Sequence, residues 1–458
     1  MKVLLTHGYF LSEDLKEQQI MKPYVPLGIL YISGYLEKNA VENEVFDSTF
    51  YKPEHLHQYI LEHKPQYIGI YVNLMTKLQV LKIISFVKNL PELSETKIIL
   101  GGPEVRNHAD KFLTHGADYI VLGEGEETFL ELVQVLETND KTKIALVNGV
   151  CYLGDNGAVI KNQERNKIKD IDVLPFPNRK KVDLFKYLEV WKKHHGKNAI
   201  SISTMRGCPY TCKWCSRAVY GLSYRRRSAE ITVQEIIAIQ KEYAPDTLWF
   251  VDDVFTVSHK WLQEFTSEIK KQNVSVQYEC ITRADRLNEE VFQLLKDSGC
   301  FRVWIGAESG SQNIIDAMDR RVDVNQVRAM IQLAKKYQIE AGTFIMLGYP
   351  GETESDITET IHHLKTSNPD HFTITVAYPI KGTELYQETE PDFIDQLPWE
   401  SSTDRDITFK RTYNEKYYAY AVRHVVNEVN YYKKHSPVFK LKSLAAKAGM
   451  WYFRTIKS

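Results

Sequence analysis

The sequence predicts an α/β protein in three parts: an N-terminal doubly wound, Rossmann-like sheet, a partial (β/α)6 barrel, and a mainly helical C-terminal region. Three observations carry this reading. Residues 1–137 and 199–385 each alternate short apolar runs with amphipathic stretches. Residues 138–198 lose that periodicity and read as a linker. Residues 386–458 do not continue the alternation, and a tyrosine-rich helical period takes over from about 414.

In the first part the expected strands are Lys2–Thr6, Asn43–Asp47, Tyr67–Val72, Lys97–Gly101 and Tyr119–Leu122, with helices around 27–38, 54–63, 76–89, 107–115 and 126–137 between them. Continuous apolar strands separated by helices indicate a parallel sheet covered on both faces. In the linker, Val150 to Ile160 reads as a hairpin turning at Asp155-Asn-Gly157, and Asp172-Val-Leu-Pro-Phe-Pro177 as a stiff connection. In the barrel the expected strands are Ala199–Thr204, Thr247–Val251, Ser275–Ile281, Arg302–Gly306, Ala341–Leu347 and Phe372–Val376. Both architectures bind ligands at the carboxyl ends of their strands.

Composition narrows the class. The chain is 43% hydrophobic and 26% charged, with a net charge of −1, so no global field points to nucleic acid. Its apolar runs fall short of the roughly 20 residues of a membrane span. Six cysteines, three of them in one loop, do not make a secreted disulfide framework, and a cytoplasmic location is expected. Cys151, Cys280 and Cys300 read as buried strand thiols.

The loop after the first barrel strand runs Arg206-Gly-Cys-Pro-Tyr-Thr-Cys-Lys-Trp-Cys215. Cys208, Cys212 and Cys215 form CxxxCxxC with no fourth cysteine near. Three thiolates on one tight loop can hold three corners of a [4Fe–4S] cubane and leave one iron open, whereas structural sites recruit four ligands. The alternative is a zinc knuckle, which would need a fourth ligand from elsewhere.

This segment resembles the radical S-adenosylmethionine (SAM) enzymes. The resemblance implies that the open iron chelates the amino and carboxylate groups of SAM and that one electron cleaves it to a 5′-deoxyadenosyl radical. It also implies an external donor of flavodoxin or ferredoxin type. Strand-end residues suit the rest of SAM. Asp252 and Asp253 stand where the family has G-G-E, and Glu308 with Ser309 lies in Gly306-Ala-Glu-Ser-Gly310. These suit its ammonium and hydroxyl groups, and Arg283 suits its carboxylate. Leu347 and Gly348 close the fifth strand, and Trp214 occupies the family's adenine-flanking position. For each, an ion pair closing the barrel top is the alternative, and Asp285 offers Arg283 such a partner. Arg225-Arg-Arg227 suits either phosphates or a solvated turn.

The N-terminal strand ends carry Tyr9, then Leu27-Gly28, Asn73-Leu-Met75, Gly101-Gly-Pro-Glu104 and Gly123-Glu124. Paired glycines let backbone approach a ligand. In this order they resemble the cobalamin-binding domain that precedes many radical SAM domains. Leu27, Gly28, Gly101, Gly102, Pro103, Glu104, Gly123, Glu124 and Tyr9 are then expected around cobalamin, with Asn73, Leu74 and Met75 facing the corrin. The chain lacks the D-x-H-x-x-G motif, since the first loop reads Thr6-His-Gly-Tyr-Phe10. The resemblance therefore implies cobalt without a protein histidine, and His7 reads as a surface contact.

Together these resemblances imply a cobalamin-dependent radical SAM enzyme that methylates an unactivated carbon of a small-molecule or lipid-like substrate. A non-methylating radical enzyme of the same architecture is the alternative. An RNA methylthiotransferase would carry a second cysteine triad in its first domain, and no cysteine precedes Cys151. A non-catalytic cobalamin or redox sensor would not need the charged strand ends. In the tail, Leu441, Leu444, Ala445, Ala448 and Tyr452 share one helical face, and no acidic residue follows Tyr431. That pattern suits a basic interfacial helix contacting membrane or, alternatively, a helix packed on the barrel with lysines outward.

Overall fold

A computed structural model describes residues 2–138, 140–395 and 397–454. The N-terminal sheet contains β1 (Val3–His7), β2 (Asn43–Phe46), β3 (Tyr67–Tyr71), β4 (Lys97–Gly101), β5 (Tyr119–Val121), β6 (Val150–Leu153) and β7 (Val159–Lys161). Its order is β2-β1-β3-β4-β5-β6-β7, with the first five strands parallel and the last two antiparallel. Helices Leu27–Lys38 and Gly125–Glu137 cover one face. Helices Pro53–His63, Lys77–Lys88 and Ala109–Thr114 cover the other.

The hairpin at Asp155–Gly157 forms as expected, but it belongs to this sheet rather than to a linker. Ile120 pairs with Cys151 and Val121 with Val150, so the hairpin satisfies the edge of β5 and makes the sheet mixed. His7 also departs from expectation. It is buried at the end of β1, where Nε2 meets Asp47 at 3.0 Å and Nδ1 accepts from the Tyr9 amide at 3.1 Å. Tyr187, on the helix Leu184–His195, donates to the second Asp47 oxygen at 2.7 Å. The triad ties the connecting segment to the first domain.

The second sheet contains β8 (Ala199–Ile202), β11 (Thr247–Phe250), β12 (Tyr278–Thr282), β13 (Cys300–Glu308), β14 (Glu340–Leu347) and β15 (His371–Val376). Each pairs in parallel with the next, so the sheet is an open (β/α)6 barrel. A short ribbon, β9 (Met205–Arg206) with β10 (Arg225–Arg226), brackets the cysteine loop. Phe250, Phe255, Phe265 and Tyr278 fill the barrel core, and Val25 and Leu30 of the first domain join the same apolar cluster. The barrel's apolar core therefore extends into the interface with the first domain, whose own two clusters stay separate.

Two paired helices, Glu415–Lys434 and Pro437–Arg454, close the chain. The first buries Tyr417, Tyr418, Ala421, Val425 and Val429 in the barrel core. The second packs through Ser443, Ala446 and Met450, so the face expected to be apolar points outward. Among the described residues no helix is long and apolar enough to cross a membrane.

Candidate active site

The cysteine loop is held by groups that the polypeptide buries around it. Arg206, two residues before Cys208, is 6% exposed and reaches Glu124 of the first domain at 2.7 Å and Glu126 at 3.2 Å. Arg225 bonds the other Glu124 oxygen at 2.6 Å, and the Ile168 amide donates to it at 3.0 Å. Glu124 therefore clamps the two domains, with both carboxylate oxygens engaged by Arg206, Arg225 and the Ile168 amide. Arg225 to Arg227 form no solvated turn. Arg226 stacks on Trp261 at 3.4 Å, and Arg227 is 2% exposed, donating to the Pro175 carbonyl at 2.9 Å.

Two guanidinium groups converge on Cys212. Arg283 lies 3.7 Å from its sulfur and Arg320 lies 3.6 Å away. A hydrogen bond from the Cys215 thiol and these two positive charges pull the buried Cys212 thiol below its ordinary range. Arg320 also donates to the Gly306 carbonyl at 3.1 Å and sits 3.8 Å from Glu308. A Cβ at Gly306 would lie 2.4 Å from the Arg320 nitrogen, so this approach requires glycine. Glu308 has φ of 64° at a register shift between β13 and β14. Such backbone strain is held where the surrounding structure demands it. Burial raises the Glu308 carboxyl against the pull of Arg320.

Several expected SAM residues are committed elsewhere. Asp252 accepts from the Thr204 and Met205 amides at 2.7 and 3.0 Å and from Arg226 at 3.2 Å, so it fixes the strand leading to the cysteines. Arg283 spends its remaining nitrogens on Asp285 and the Arg320 carbonyl, both at 2.8 Å, and stacks on Tyr210. Ser309 accepts from the Ser311 amide and meets Thr360. Leu347 is buried in the barrel core, and the Gly348 amide donates to Glu352 at 2.6 Å. Asp253 and Trp214 remain available. Asp253 lines the cavity described next, its carboxyl raised by burial and by the charge of Asp252. Trp214 packs beside Met346, Tyr349 and Leu385 with Arg320 5.8 Å from its ring.

A cavity of about 390 Å³ lies where the carboxyl ends of the two sheets meet. Leu27, Gly28, Gly101, Gly102, Pro103, Gly123 and Glu124 line it from the first domain, and Cys208 and Asp253 from the second. Gly102 has φ of 110°, and a Cβ there would stand 2.4 Å from the Val72 carbonyl. At Gly101 a Cβ would meet only Val121 within 4 Å, so the glycine leaves open space. The cavity continues as an apolar slot between the sheet and its helices, walled by Leu5, Ile29, Ile32, Gly69, Ile99 and Phe129.

Five of the residues expected around cobalamin stay outside this chamber. Tyr9 is half-buried beside His7. Asn73 caps the turn into the next helix by accepting from the Met75 and Thr76 amides at 2.9 and 3.0 Å. Leu74 is half-buried, and Met75 is exposed with Arg405 on its sulfur at 2.7 Å. Glu104 is buried on the far side, 3.6 Å from His108, where burial and the charge of Asp404 push its carboxyl up to about 7. Sequence reasoning missed Tyr31, Tyr71 and the segment 216–221, which completes the chamber roof through Ala218, Val219 and Tyr220. Gly69, a glycine inside a strand, is the one signal that would have revealed the slot.

The chamber fits the groups that the sequence implies. Its first-domain wall of glycine backbone and apolar side chains suits a large ligand with a long tail, as cobalamin has. The cysteine loop presents three thiols, Arg283 and Arg320 reach it from elsewhere in the barrel, and Cys151, Cys280 and Cys300 are buried in strands. Among the described residues no set of three His, Cys, Asp or Glu side chains converges as for a single metal ion.

Comparison with known proteins places both halves. The model of the radical SAM superfamily matches residues 202–364, and that of the B12 binding domain matches residues 20–133. An uncharacterized methyltransferase of Pyrococcus horikoshii is 28% identical over 370 residues, covering 79% of this chain and 78% of its own. An anaerobic magnesium-protoporphyrin IX monomethyl ester cyclase of Rubrivivax gelatinosus is 24% identical over 405 residues, covering 85% and 70%. The fold matches that of the radical SAM methyltransferase TsrM from Kitasatospora setae, solved with cobalamin and a [4Fe-4S] cluster. The TM-score is 0.70 at 17% identity, over 85% of this chain and 75% of that one. With its B12-binding sheet, its open barrel and its CxxxCxxC loop at one shared chamber, the chain belongs to the cobalamin-dependent radical S-adenosylmethionine enzymes.

Proposed function

We propose that this enzyme is a C-methyltransferase acting on an unactivated carbon of a small-molecule substrate. The observation that carries the proposal is the shared chamber: Cys208 and the strand-end glycines Gly101 and Gly102 line one cavity. When bound, the cluster and SAM supply a hydrogen-abstracting radical, and cobalamin supplies a transferable methyl group.

The chain positions these groups. Cys208, Cys212 and Cys215 would hold the cluster, and Arg283 and Arg320, at the Cys212 sulfur, would offset its negative charge. Glu308 and Asp253 would accept hydrogen bonds from the ammonium and hydroxyl groups of SAM, and Trp214 would flank its adenine. Gly28, Gly101, Gly102, Pro103 and Gly123 keep side chains out of the space that cobalamin occupies. Tyr31, Tyr71 and Tyr220 add aromatic wall to the same chamber. The cluster, when bound, would need an external one-electron donor of flavodoxin or ferredoxin type. The relative named as a methyltransferase supports the reading.

The test is mass spectrometry after anaerobic incubation with SAM, cobalamin and a strong reductant, without substrate. S-adenosylhomocysteine matching the bound cobalamin, and absent without it, supports methyl transfer. The relative named as a cyclase favours a second reading, a non-methylating radical enzyme. 5′-Deoxyadenosine as the sole product of cobalamin-loaded enzyme would put that reading first.

A further inference from the structure

The helix Pro437–Arg454 contains no acidic residue and lies antiparallel on Glu415–Lys434. It packs through one narrow strip. Ser443, Ala446 and Met450 are at most 4% exposed, Phe453 stacks on Tyr420, and Lys440 meets Glu428 at 3.1 Å. The opposite face holds large apolar side chains in solvent: Val438 is 54% exposed, Leu441 67%, Leu444 52%, Trp451 75% and Tyr452 60%. Ala445 and Ala448 lie between them and are also exposed. A helix that serves only to cover a barrel turns this face inward. At 3.6 residues per turn, Lys442 and Lys447 flank the stripe on its two sides. Neither has an acidic partner among the described residues.

We propose that this face seats the enzyme on an anionic bilayer surface, with the helix lying in the interfacial plane. The apolar stripe enters the boundary between headgroups and acyl chains, with Trp451 and Tyr452 at a depth that suits amphipathic rings, and the flanking lysines meet lipid phosphates. The chain as a whole carries a net charge of −1, so the attraction belongs to this helix. Charge also selects against the other occupant. Pairing two copies through this face would bring Lys442 and Lys447 against their counterparts with no acid to neutralise them. Attachment rests on no assumption about the reaction in the chamber.

The test uses the full-length, cofactor-loaded enzyme in vesicle flotation. The vesicles are phosphatidylcholine alone or phosphatidylcholine mixed with phosphatidylglycerol, at low and high salt. The protein should float with the mixed vesicles, and added salt should weaken its binding. Leu444→Ser with Trp451→Ser, and separately Lys442→Glu with Lys447→Glu, should each lower partitioning on the order of tenfold or more. All four positions lie outside the chamber, so melting temperature and substrate-free SAM cleavage should match those of the parent. Three outcomes would overturn the proposal: no flotation of folded parent, equal flotation of the variants, or a concentration-dependent dimer that Leu444→Ser with Trp451→Ser dissolves.

Discussion

The two walls of the chamber are built by opposite means. The first-domain wall works by omission: glycines at 28, 101, 102 and 123 withhold side chains, and apolar groups line the slot behind them. The second-domain wall works by charge. Arg206, Arg283, Arg320, Asp252, Asp253 and Glu308 crowd the barrel's carboxyl end, and most are paired within it. A bulky cofactor held by shape needs room, whereas an anionic cluster and a zwitterionic substrate need fixed charges in a place where water is scarce.

Substitutions in each wall separate the two devices. Cys212→Ser should give the largest effect. It removes a cluster ligand, so both SAM cleavage and the iron–sulfur absorbance should vanish while cobalamin still binds. Next, Glu124→Ala leaves Arg206 and Arg225 without their shared carboxylate at the joint between the walls. Breaking a buried ion pair costs about 3–5 kcal/mol, which thermal melting of the whole chain should register. Gly101→Leu inserts methylenes where cobalamin would lie, at a cost of about 1–3 kcal/mol, or roughly five- to 150-fold weaker binding by titration. Its cluster content should not change. Retained cobalamin affinity in this variant would break the comparison.

Glu352→Gln lies away from both walls and leaves them intact, and its effect on stability depends on pH. Burial raises Glu352 from the ordinary 4.5 to about 8, so the folded state holds this proton more tightly than the unfolded chain does. Its stabilisation is complete below about 4.5 and is lost as pH rises toward about 8. Glutamine keeps an acceptor for the Gly348 amide but has no proton to lose. The variant's melting temperature should therefore gain on the parent's between pH 5 and pH 8. Parallel profiles would show that Glu352 is not held neutral.

The strands and helices of both domains were legible because apolar periodicity encodes them, and β4 and the helix Leu27–Lys38 fall where the pattern puts them. The cysteines were legible because few other arrangements explain three thiols at that spacing. Charged strand ends were legible as positions but not as roles. Asp252, Arg283 and Ser309 looked like cofactor ligands, yet each is satisfied by groups distant in sequence or hidden in a loop, such as Thr204, the Arg320 carbonyl and Thr360. Glu124 and Arg206 stand 82 positions apart, and no local pattern links them. The hairpin's turn was readable, but its docking on β5 depended on an open sheet edge that only the assembled domain presents.

The central claim is that both cofactors open onto one chamber. Electron paramagnetic resonance on enzyme holding cobalt(II) cobalamin and the one-electron-reduced cluster tests it directly. One chamber predicts magnetic coupling, seen as splitting or broadening of the cobalt signal when the cluster is reduced and absent in Cys212→Ser. Two unperturbed, independently relaxing signals would contradict it.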